Sequence, residues 1–172
     1  MAGALELNHY PVDSLVSALG EAFPSVHVGR QFEDSVSTAS LAPFLARWVQ
    51  HLDYERSGYV LEGYHVSVGT AATLAEQGFR VAVLGTPSVD VEQRCRDIRA
   101  FAAEGDWTEE LSDSELADLI ARYQFESVGL RAECERHGLA YFDTGRSSDA
   151  DLDAVLRHLT EGMDEEDSRR PR

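Results

Sequence analysis

Lysine is absent from this chain of 172 residues, and all 15 of its basic residues are arginine. The absence excludes Schiff-base chemistry, a lysine general base and the lysine of a phosphate-binding loop. Against 31 acidic residues the arginines leave a net charge of −16. No basic stripe is present to displace the counterions of a phosphate backbone, so the sequence argues against a nucleic-acid partner.

Long apolar runs are lacking as well, and we expect no secretory leader sequence. No stretch approaches the roughly 18 apolar residues of a membrane span, and no basic segment followed by an apolar one opens the chain. The two cysteines, Cys95 and Cys134, lie far apart in predicted helices. We therefore expect a cytoplasmic protein from a reducing compartment, without a membrane partner and without a disulfide framework.

Several motifs of catalysis and binding are missing. The six histidines show neither H-x-x-x-H nor H-E-x-x-H spacing, so no metal site is predicted. The sequence has no G-x-S-x-G, which leaves a hydrolase nucleophile elbow unsupported. It has no G-x-G-x-x-G either, which weakens a dinucleotide-binding hypothesis.

What the sequence does contain is an alternation of short β-rich runs with longer helical ones. This alternation is typical of an α/β fold with a mostly parallel sheet in three layers. The pattern predicts a domain over residues 1–162 and a disordered, charged tail over residues 163–172. The predicted strands are Leu5–Val12, Tyr59–Gly63, Phe79–Gly85 and Leu139–Phe142, of which Phe79–Gly85 is the clearest buried one.

Apolar periodicity and capping residues predict the helices. They cover Asp13–Leu19, Leu41–Tyr54, Ser67–Gln77, Val89–Ala103, Ser112–Arg136 and Asp149–Leu159. The segment Ala22–Thr38 has no clear period and is predicted to be irregular. Ser40 is the expected cap of the second helix, which would place Pro43 in its first turn.

Two carboxylates follow predicted strands at the edge where open α/β sheets bind ligands. Glu62 ends the Tyr59–Gly63 strand and can orient a metal-bound water or hold a substrate hydroxyl; the alternative is an acid that simply faces solvent. Asp13 follows the first strand and can cap the helix that begins there, or can accept a proton from a substrate hydroxyl in the same cleft. Both alternatives stay open for each residue.

Three arginines, Arg94, Arg96 and Arg99, cluster on the helix that follows the Phe79–Gly85 strand. Three guanidinium groups can together bind a polyphosphate. However, Asp90 and Glu92 precede Arg94 and Arg96 by four residues, which is the favoured order for ion pairs along one helix. The cluster is therefore either a phosphate site or an ordinary solvated face.

From about Leu5 to Leu159 the chain resembles bacterial small-molecule kinases of the P-loop NTPase fold, in the nucleoside- and nucleotide-kinase-like group. The resemblance rests on the order and spacing of several segments. These are Tyr10-Pro-Val-Asp-Ser-Leu-Val16, Tyr59-Val-Leu-Glu-Gly63, Arg80-Val-Ala-Val-Leu-Gly85 with its arginine helix, Gly105-Asp-Trp-Thr-Glu-Glu-Leu-Ser112, the run from Glu126 to Cys134, and Leu139-Ala-Tyr-Phe-Asp-Thr144.

The resemblance implies an ATP-dependent phosphotransferase with Mg²⁺ and assigns roles by position. Asp13 would face the phosphoryl acceptor, and Glu62 would lie near the magnesium and the acceptor. One or more of Arg94, Arg96 and Arg99 would contact the transferring phosphates. Asp143 and Thr144 would lie near the adenine end of the nucleotide, and the substrate-binding candidates are Arg47, Tyr64 and His65.

The chain departs from this family at its start. Family members begin with a strand, the phosphate loop G-x-x-x-x-G-K-[ST] and a helix, whereas Met1–Asn8 looks like the last turn of that helix. The missing strand is central in the family, between the strands that match Tyr59–Gly63 and Phe79–Gly85. Its loss predicts exposed hydrophobic strand edges or a rearranged sheet, and a chain that is inactive as written.

Three functions therefore remain open. The chain is a small-molecule kinase whose true start lies upstream, a non-catalytic binding or regulatory module derived from the kinase fold, or a relic without activity. The acceptor is a small molecule whose identity stays open among nucleosides, sugars, shikimate-like acids and antibiotics.

Overall fold

The computed structural model describes residues 8–23, 35–52, 59–146 and 149–161. Contacts between Cα atoms divide the chain into two compact units, Met1–Phe79 and Arg80–Arg172. The predicted tail, the first seven residues and the serines at 147 and 148 lie outside the described residues. The prediction of one domain over residues 1–162 stays a prediction.

The first unit contains a two-stranded parallel sheet and three helices. In chain order these are β1 (Asn8–Pro11), α1 (Val12–Ala22), α2 (Ser35–Leu52), β2 (Tyr59–Glu62) and α3 (Val68–Glu76). β1 and β2 pair from Asn8 opposite Tyr59 to Pro11 opposite Glu62. The carboxyl ends of both strands therefore lie at one edge of this sheet.

The core of the first unit forms where α1 and α2 cover β2. Val12, Val16 and Leu45 are fully or almost fully buried, and Leu61 of β2 packs against them. Burial of such side chains stabilises a fold by about 1.5–3 kcal/mol each. This packing fixes the start of α1 directly beside the carboxyl end of the sheet.

The second unit contains another parallel pair of strands. Its elements are β3 (Ala82–Gly85), α4 (Val91–Phe101), a 3₁₀ helix (Trp107–Glu110), α5 (Asp113–His137), β4 (Ala140–Asp143) and α6 (Asp149–Thr160). β3 pairs with β4 from Ala82 opposite Ala140 to Gly85 opposite Asp143. Its core is built from Val89, Leu116 and Ile120, with Val91, Cys95, Ile98 and Leu111 packed around them.

Local signals in the sequence account for the ends of several helices. Ser112 and Glu115 form the predicted capping box, in which the Ser112 side chain accepts from the Glu115 N–H and Glu115 accepts from the Ser112 N–H. Gly138 ends α5 in the left-handed conformation, with φ 65°. Cys95 and Cys134 lie in α4 and α5 and are free thiols.

The mixed α/β class and the parallel pairing are confirmed, but the four strands do not form one sheet. Among the described residues they form two separate sheets, β1 with β2 and β3 with β4. β3 also starts at Ala82, three residues later than predicted, and its Leu84 is 45% exposed. The prediction of a buried strand therefore holds at Gly85 and is wrong at Leu84.

The second helix also differs from its prediction. α2 begins at Ser35, inside the segment predicted to be irregular, and Pro43 lies within the helix instead of in its first turn. Ser40 is therefore a helical residue and not the cap. Proline lacks the N–H of a helical hydrogen bond and is tolerated best in the first turn of a helix. The sequence pattern therefore predicted a helix that begins shortly before Pro43.

Candidate functional site

Asp13 lies in the first turn of α1, at the carboxyl end of the β1–β2 sheet. Its Oδ2 accepts a hydrogen bond from the Tyr64 N–H at 3.1 Å, and its Oδ1 accepts one from the His65 N–H at 3.2 Å. The His65 ring nitrogen Nδ1 lies 2.7 Å from the same Oδ1. Since an ionised carboxylate only accepts, Nδ1 is the donor of this third hydrogen bond.

The helix start tests one of the two roles left open for Asp13, the cap of α1, and the role of proton acceptor stays a prediction. Pro11 occupies the N-cap position of α1, and its side chain makes no capping hydrogen bond. Asp13 lies two residues further on, and its carboxylate bonds to the segment that follows β2. The capping alternative is therefore wrong, and Asp13 joins α1 to the end of the second strand.

The absence of a side chain at Gly63 allows the Asp13 carboxylate to reach the N–H groups of Tyr64 and His65. A Cβ atom at position 63 would lie 2.6 Å from Asp13 Oδ1, which is closer than Cβ atoms come to their neighbours, and 3.0 Å from Val12 Cβ. A side chain there would push the carboxylate away from the Tyr64 and His65 N–H groups. Gly63 thus belongs to the site, although the sequence pattern assigned it only to the end of a strand.

The environment of Asp13 keeps its carboxylate ionised. Burial raises the pKa of Asp13, but the hydrogen bonds from the His65 ring and from the backbone of Tyr64 and His65 outweigh it and hold the pKa below its ordinary value. The Asp13 side chain is 45% exposed and that of His65 is 20% exposed. Within the described part of the chain, His65 Nε2 has no hydrogen-bond partner.

An imidazole held in this way has a defined chemical capacity. A carboxylate on Nδ1 fixes the orientation and the tautomer of the ring, so that Nε2 of the neutral form carries a lone pair. Nε2 can then accept a proton or a hydrogen bond from a hydroxyl group in the space above the sheet edge. We call Asp13, Gly63 and His65 the carboxylate–histidine site.

Glu62 lies at the same end of the sheet as Asp13, opposite Pro11 in the register. Its Oε1 is 3.2 Å from Nε2 of His9, and both side chains are about half exposed. The expected role near a metal or an acceptor stays a prediction. No group of three or more His, Cys, Asp or Glu side chains in the described ranges is arranged to hold a metal ion.

The substrate-binding candidates lie in the first unit. Tyr64 is 50% exposed, and its ring meets that of His65 edge to face, with 6.1 Å between ring centres. Arg47 lies on α2 and donates to Gln50 Oε1 at 3.2 Å on the exposed surface. Of these candidates, the structure brings Tyr64 and His65 to Asp13.

The three arginines lie on α4 of the second unit and differ in their contacts. Arg99 donates to the carbonyl oxygens of Thr108 at 2.7 Å and Leu111 at 2.6 Å, and it pairs with Asp113 at 3.1 Å. Arg96 donates to Gln93 at 2.9 Å and lies 3.9 Å from Glu92. A phosphate at Arg99 would compete with three existing contacts, so Arg99 has a structural role whatever else it binds.

Arg94 lines a cavity in the second unit. Asp90, four residues earlier, caps α4 by accepting from the Gln93 N–H at 2.9 Å. The phosphate-binding role of Arg94 stays a prediction. So does the expectation that an arginine shares a cleft with Asp13 and Glu62.

Asp143 and Thr144 lie at the carboxyl end of the β3–β4 sheet. Asp143 Oδ1 accepts from the Ser88 hydroxyl at 2.9 Å and from the Gly145 N–H at 3.0 Å. The Thr144 N–H donates to the Gly85 carbonyl at 2.8 Å. These contacts close the turns after β3 and β4, and the adenine-end role stays a prediction.

Comparison of the chain with protein-family models, with curated proteins and with solved structures found no match. Within the described ranges, no helix combines the length and the apolar composition that crossing a membrane requires.

Proposed function

We propose that this chain carries the acceptor side of a P-loop-kinase-like phosphotransferase, and that it does not transfer phosphate from ATP without a phosphate loop from elsewhere. The observation that carries the proposal is the carboxylate–histidine site. It places His65 Nε2 at the carboxyl edge of a parallel sheet, where α/β folds bind ligands. The substrate it suits is a small molecule with a reactive hydroxyl group.

The strand pairing supports the same proposal. In the family that the sequence resembles, a central strand separates the strands that match β2 and β3. Among the described residues β1 pairs with β2, and β3 pairs with β4. The loss of that strand predicts either exposed hydrophobic strand edges or a rearranged sheet, and two parallel pairs agree with its loss.

ATP and Mg²⁺ do not fit the residues of this chain. A phosphate loop needs a run of backbone N–H groups and a lysine, and the sequence has neither G-x-x-x-x-G-K-[ST] nor any lysine. Arginine contacts to the backbone, as at Arg99, do not replace such a loop. The role proposed for this chain is therefore to bind the acceptor and to hold the proton acceptor His65 in place.

Two proteins test the proposed function: the chain of 172 residues, and the same chain extended by the in-frame sequence upstream of Met1. Titration calorimetry with Mg·ATP is expected to show little or no binding to the shorter chain. Each charge-assisted hydrogen bond missing from the phosphates costs about 1.5–3 kcal/mol, so several weaken binding by orders of magnitude. The extended chain is expected to bind Mg·ATP and to phosphorylate a member of a panel of nucleosides, sugars and shikimate-like acids.

Variants of the extended chain then test the site. Asp13→Asn is expected to abolish most of the transfer, because His65 loses its orienting carboxylate, whereas Glu21→Gln removes a charge from the same helix and leaves transfer intact. Micromolar affinity of the shorter chain for Mg·ATP would contradict the proposal. Transfer that survives Asp13→Asn would remove the site from the reaction.

A non-catalytic binding module is the second candidate, and the contacts of Arg99 favour it. A lid arginine that stabilises a transferring phosphate needs donors that can reach it, whereas those of Arg99 bond to Thr108, Leu111 and Asp113. If the upstream sequence encodes no phosphate loop, this candidate replaces the first.

A further inference from the structure

Two acceptor atoms of the carboxylate–histidine site are open to a ligand. Asp13 Oδ1 already accepts from the N–H and from the ring Nδ1 of His65, at 3.2 and 2.7 Å. Among the described residues, Asp13 Oδ2 accepts from the Tyr64 N–H only, at 3.1 Å, and a carboxylate oxygen has two lone pairs. His65 Nε2 is the second open acceptor, because Nδ1 carries the proton that bonds to Asp13.

These two acceptors belong to groups that are joined and held in place. The 2.7 Å contact joins the Asp13 carboxylate to the His65 ring, and the two backbone N–H groups after Gly63 fix the carboxylate. Both side chains are partly exposed, so a molecule from solvent can reach them. A ligand that bonds to both groups therefore carries two donors close together, and little of the site has to be ordered when it binds.

The charge at this end of the sheet is negative. Burial raises the pKa of Asp13, but the hydrogen bonds that it accepts outweigh burial and hold the pKa below its ordinary value, so the carboxylate is ionised. Glu62 adds a second, half-exposed carboxylate at the same end, 3.2 Å from His9. Of the described residues in the first unit, Arg47 is the one arginine, and its guanidinium group donates to a side chain of its own helix. The charges that these residues place at the edge favour a cationic ligand over an anionic one.

We propose that the acceptor bound at the carboxylate–histidine site is a small amino alcohol in its cationic form, whose hydroxyl donates to His65 Nε2 and whose ammonium group donates to Asp13 Oδ2. The inference rests on the proposed function, because it names the acceptor class of the same site. An ammonium group has N–H donors and no acceptor, and its bond to a carboxylate is about twice as strong as a neutral hydrogen bond. Amino sugars belong to this class, whereas shikimate-like acids and nucleotides do not.

Other small hydroxyl compounds match the site less well. A neutral diol can form the same two hydrogen bonds, but it brings no charge to the Asp13 carboxylate. A hydroxy acid places a second negative charge against that carboxylate and is repelled. A simple amine has no hydroxyl for His65 Nε2. The proposal therefore predicts an order of affinities among molecules of one size.

Four cyclohexane derivatives separate these features: trans-2-aminocyclohexanol, trans-1,2-cyclohexanediol, trans-2-hydroxycyclohexanecarboxylate and cyclohexylamine. Nuclear magnetic resonance of the backbone N–H groups follows their binding to the chain of 172 residues. The Tyr64 and His65 signals report the site, and Gly138 of the second unit is the internal reference. We expect the amino alcohol to shift the site signals saturably, the diol to bind at least about tenfold more weakly and the amine at least about threefold more weakly. The hydroxy acid should leave the signals in place.

Substitutions assign the two contacts. Asp13→Asn removes the charge and is expected to weaken the amino alcohol by about tenfold or more, because the charge-assisted bond is lost. His65→Phe removes Nε2 and is expected to weaken the amino alcohol by about threefold or more while leaving cyclohexylamine unchanged, with Tyr64 as the reporting signal. Glu21→Gln is the matched control, since it removes a charge from the last turn of the same helix, and it should change neither affinity.

Three results would overturn the inference. They are an affinity for the diol or the hydroxy acid equal to that for the amino alcohol, an affinity for cyclohexylamine equal to it, and equal losses from Asp13→Asn and Glu21→Gln. If Asp13→Asn does not fold, the four probes on the unaltered chain still decide the question.

Phosphate transfer by the extended chain distinguishes a failure of this inference from a failure of the proposed function. Faster transfer to the diol or the hydroxy acid than to the amino alcohol would retain the proposed function and contradict the amino-alcohol class. An amino alcohol that binds as expected, but is not phosphorylated by an extended chain that binds Mg·ATP, would contradict the proposed function and support the binding class.

Discussion

Asp13 connects the first turn of α1 to the segment that follows β2. Its carboxylate receives three hydrogen bonds from residues 51 and 52 positions later in the chain. The first turn of a helix also favours an acidic side chain, because the N–H groups there carry partial positive charge. One residue therefore stabilises the start of α1 and positions the His65 ring.

The pKa of Asp13 makes the stability of the chain depend on pH in a defined direction. Since the folded pKa lies below the ordinary value of 3.8, ionised Asp13 stabilises the fold above that pH. The contribution is lost as the pH falls through the folded pKa. We expect Asp13→Asn to lower the free energy of unfolding by about 1 kcal/mol near neutral pH, a low figure because the carboxylate is half exposed.

Urea unfolding at a series of pH values measures this effect. The difference between the unaltered chain and Asp13→Asn should be largest at about pH 6 and should shrink at about pH 3. Glu21→Gln on the same helix is the control and should show a small difference throughout. A difference for Asp13→Asn that stays constant over the whole range would show that the carboxylate's charge contributes nothing.

At the scale of elements, Arg99 determines the path of the chain between α4 and α5. Its guanidinium group bonds to two backbone carbonyl oxygens, of Thr108 and Leu111, and to the side chain of Asp113 in the first turn of α5. The 3₁₀ helix lies between these contacts. Arg99 thus holds the segment between α4 and α5 in place, which the backbone hydrogen bonds within these two helices do not do.

Replacing Arg99 by alanine is expected to destabilise the chain by about 2 kcal/mol, because two carbonyl oxygens lose a charged donor. Arg96→Ala is the matched control on the same helix and should cost less than about 0.5 kcal/mol, since its partners are exposed side chains. Urea unfolding gives both values. Hydrogen exchange should also accelerate at residues 102–112 for Arg99→Ala, and equal effects of the two substitutions would contradict the structural role.

For the whole molecule, the net charge of −16 is the dominant property. Like charges repel one another, and the repulsion is stronger in the compact state than in the unfolded chain. Dissolved salt screens it, because the Debye length falls to about 10 Å at 0.1 M ionic strength and to about 3 Å at 1 M.

We therefore expect sodium chloride to raise the thermal midpoint at neutral pH. The same addition near pH 4.6, where the sequence has no net charge, should have little effect. Calorimetry at both pH values and about 0.02 to 0.5 M salt measures the contrast. A midpoint that falls with salt at neutral pH would show that attractive ion pairs, such as that of Arg99 with Asp113, outweigh the repulsion.

The sequence alone was sufficient for the features that depend on neighbouring residues. The capping box of Ser112 and Glu115, the glycine that ends α5 and the α/β class with parallel strands all follow from local chemistry and apolar periodicity. The prediction for the start of α2 was wrong because it also depended on a local signal. Pro43 is a local signal for a helix start, whereas helical structure preceding it was not visible in the pattern.

Tertiary structure alone decided how distant segments meet. No spacing rule relates Asp13 to Tyr64 and His65, since their hydrogen bonds depend on the β1–β2 register and on the missing side chain of Gly63. The role of Arg99 and the cavity lined by Arg94 likewise arise from the packing of α4 on α5. The pairing of four strands into two sheets is also not local, because backbone hydrogen bonds between strands form through space and leave no periodic trace in the sequence.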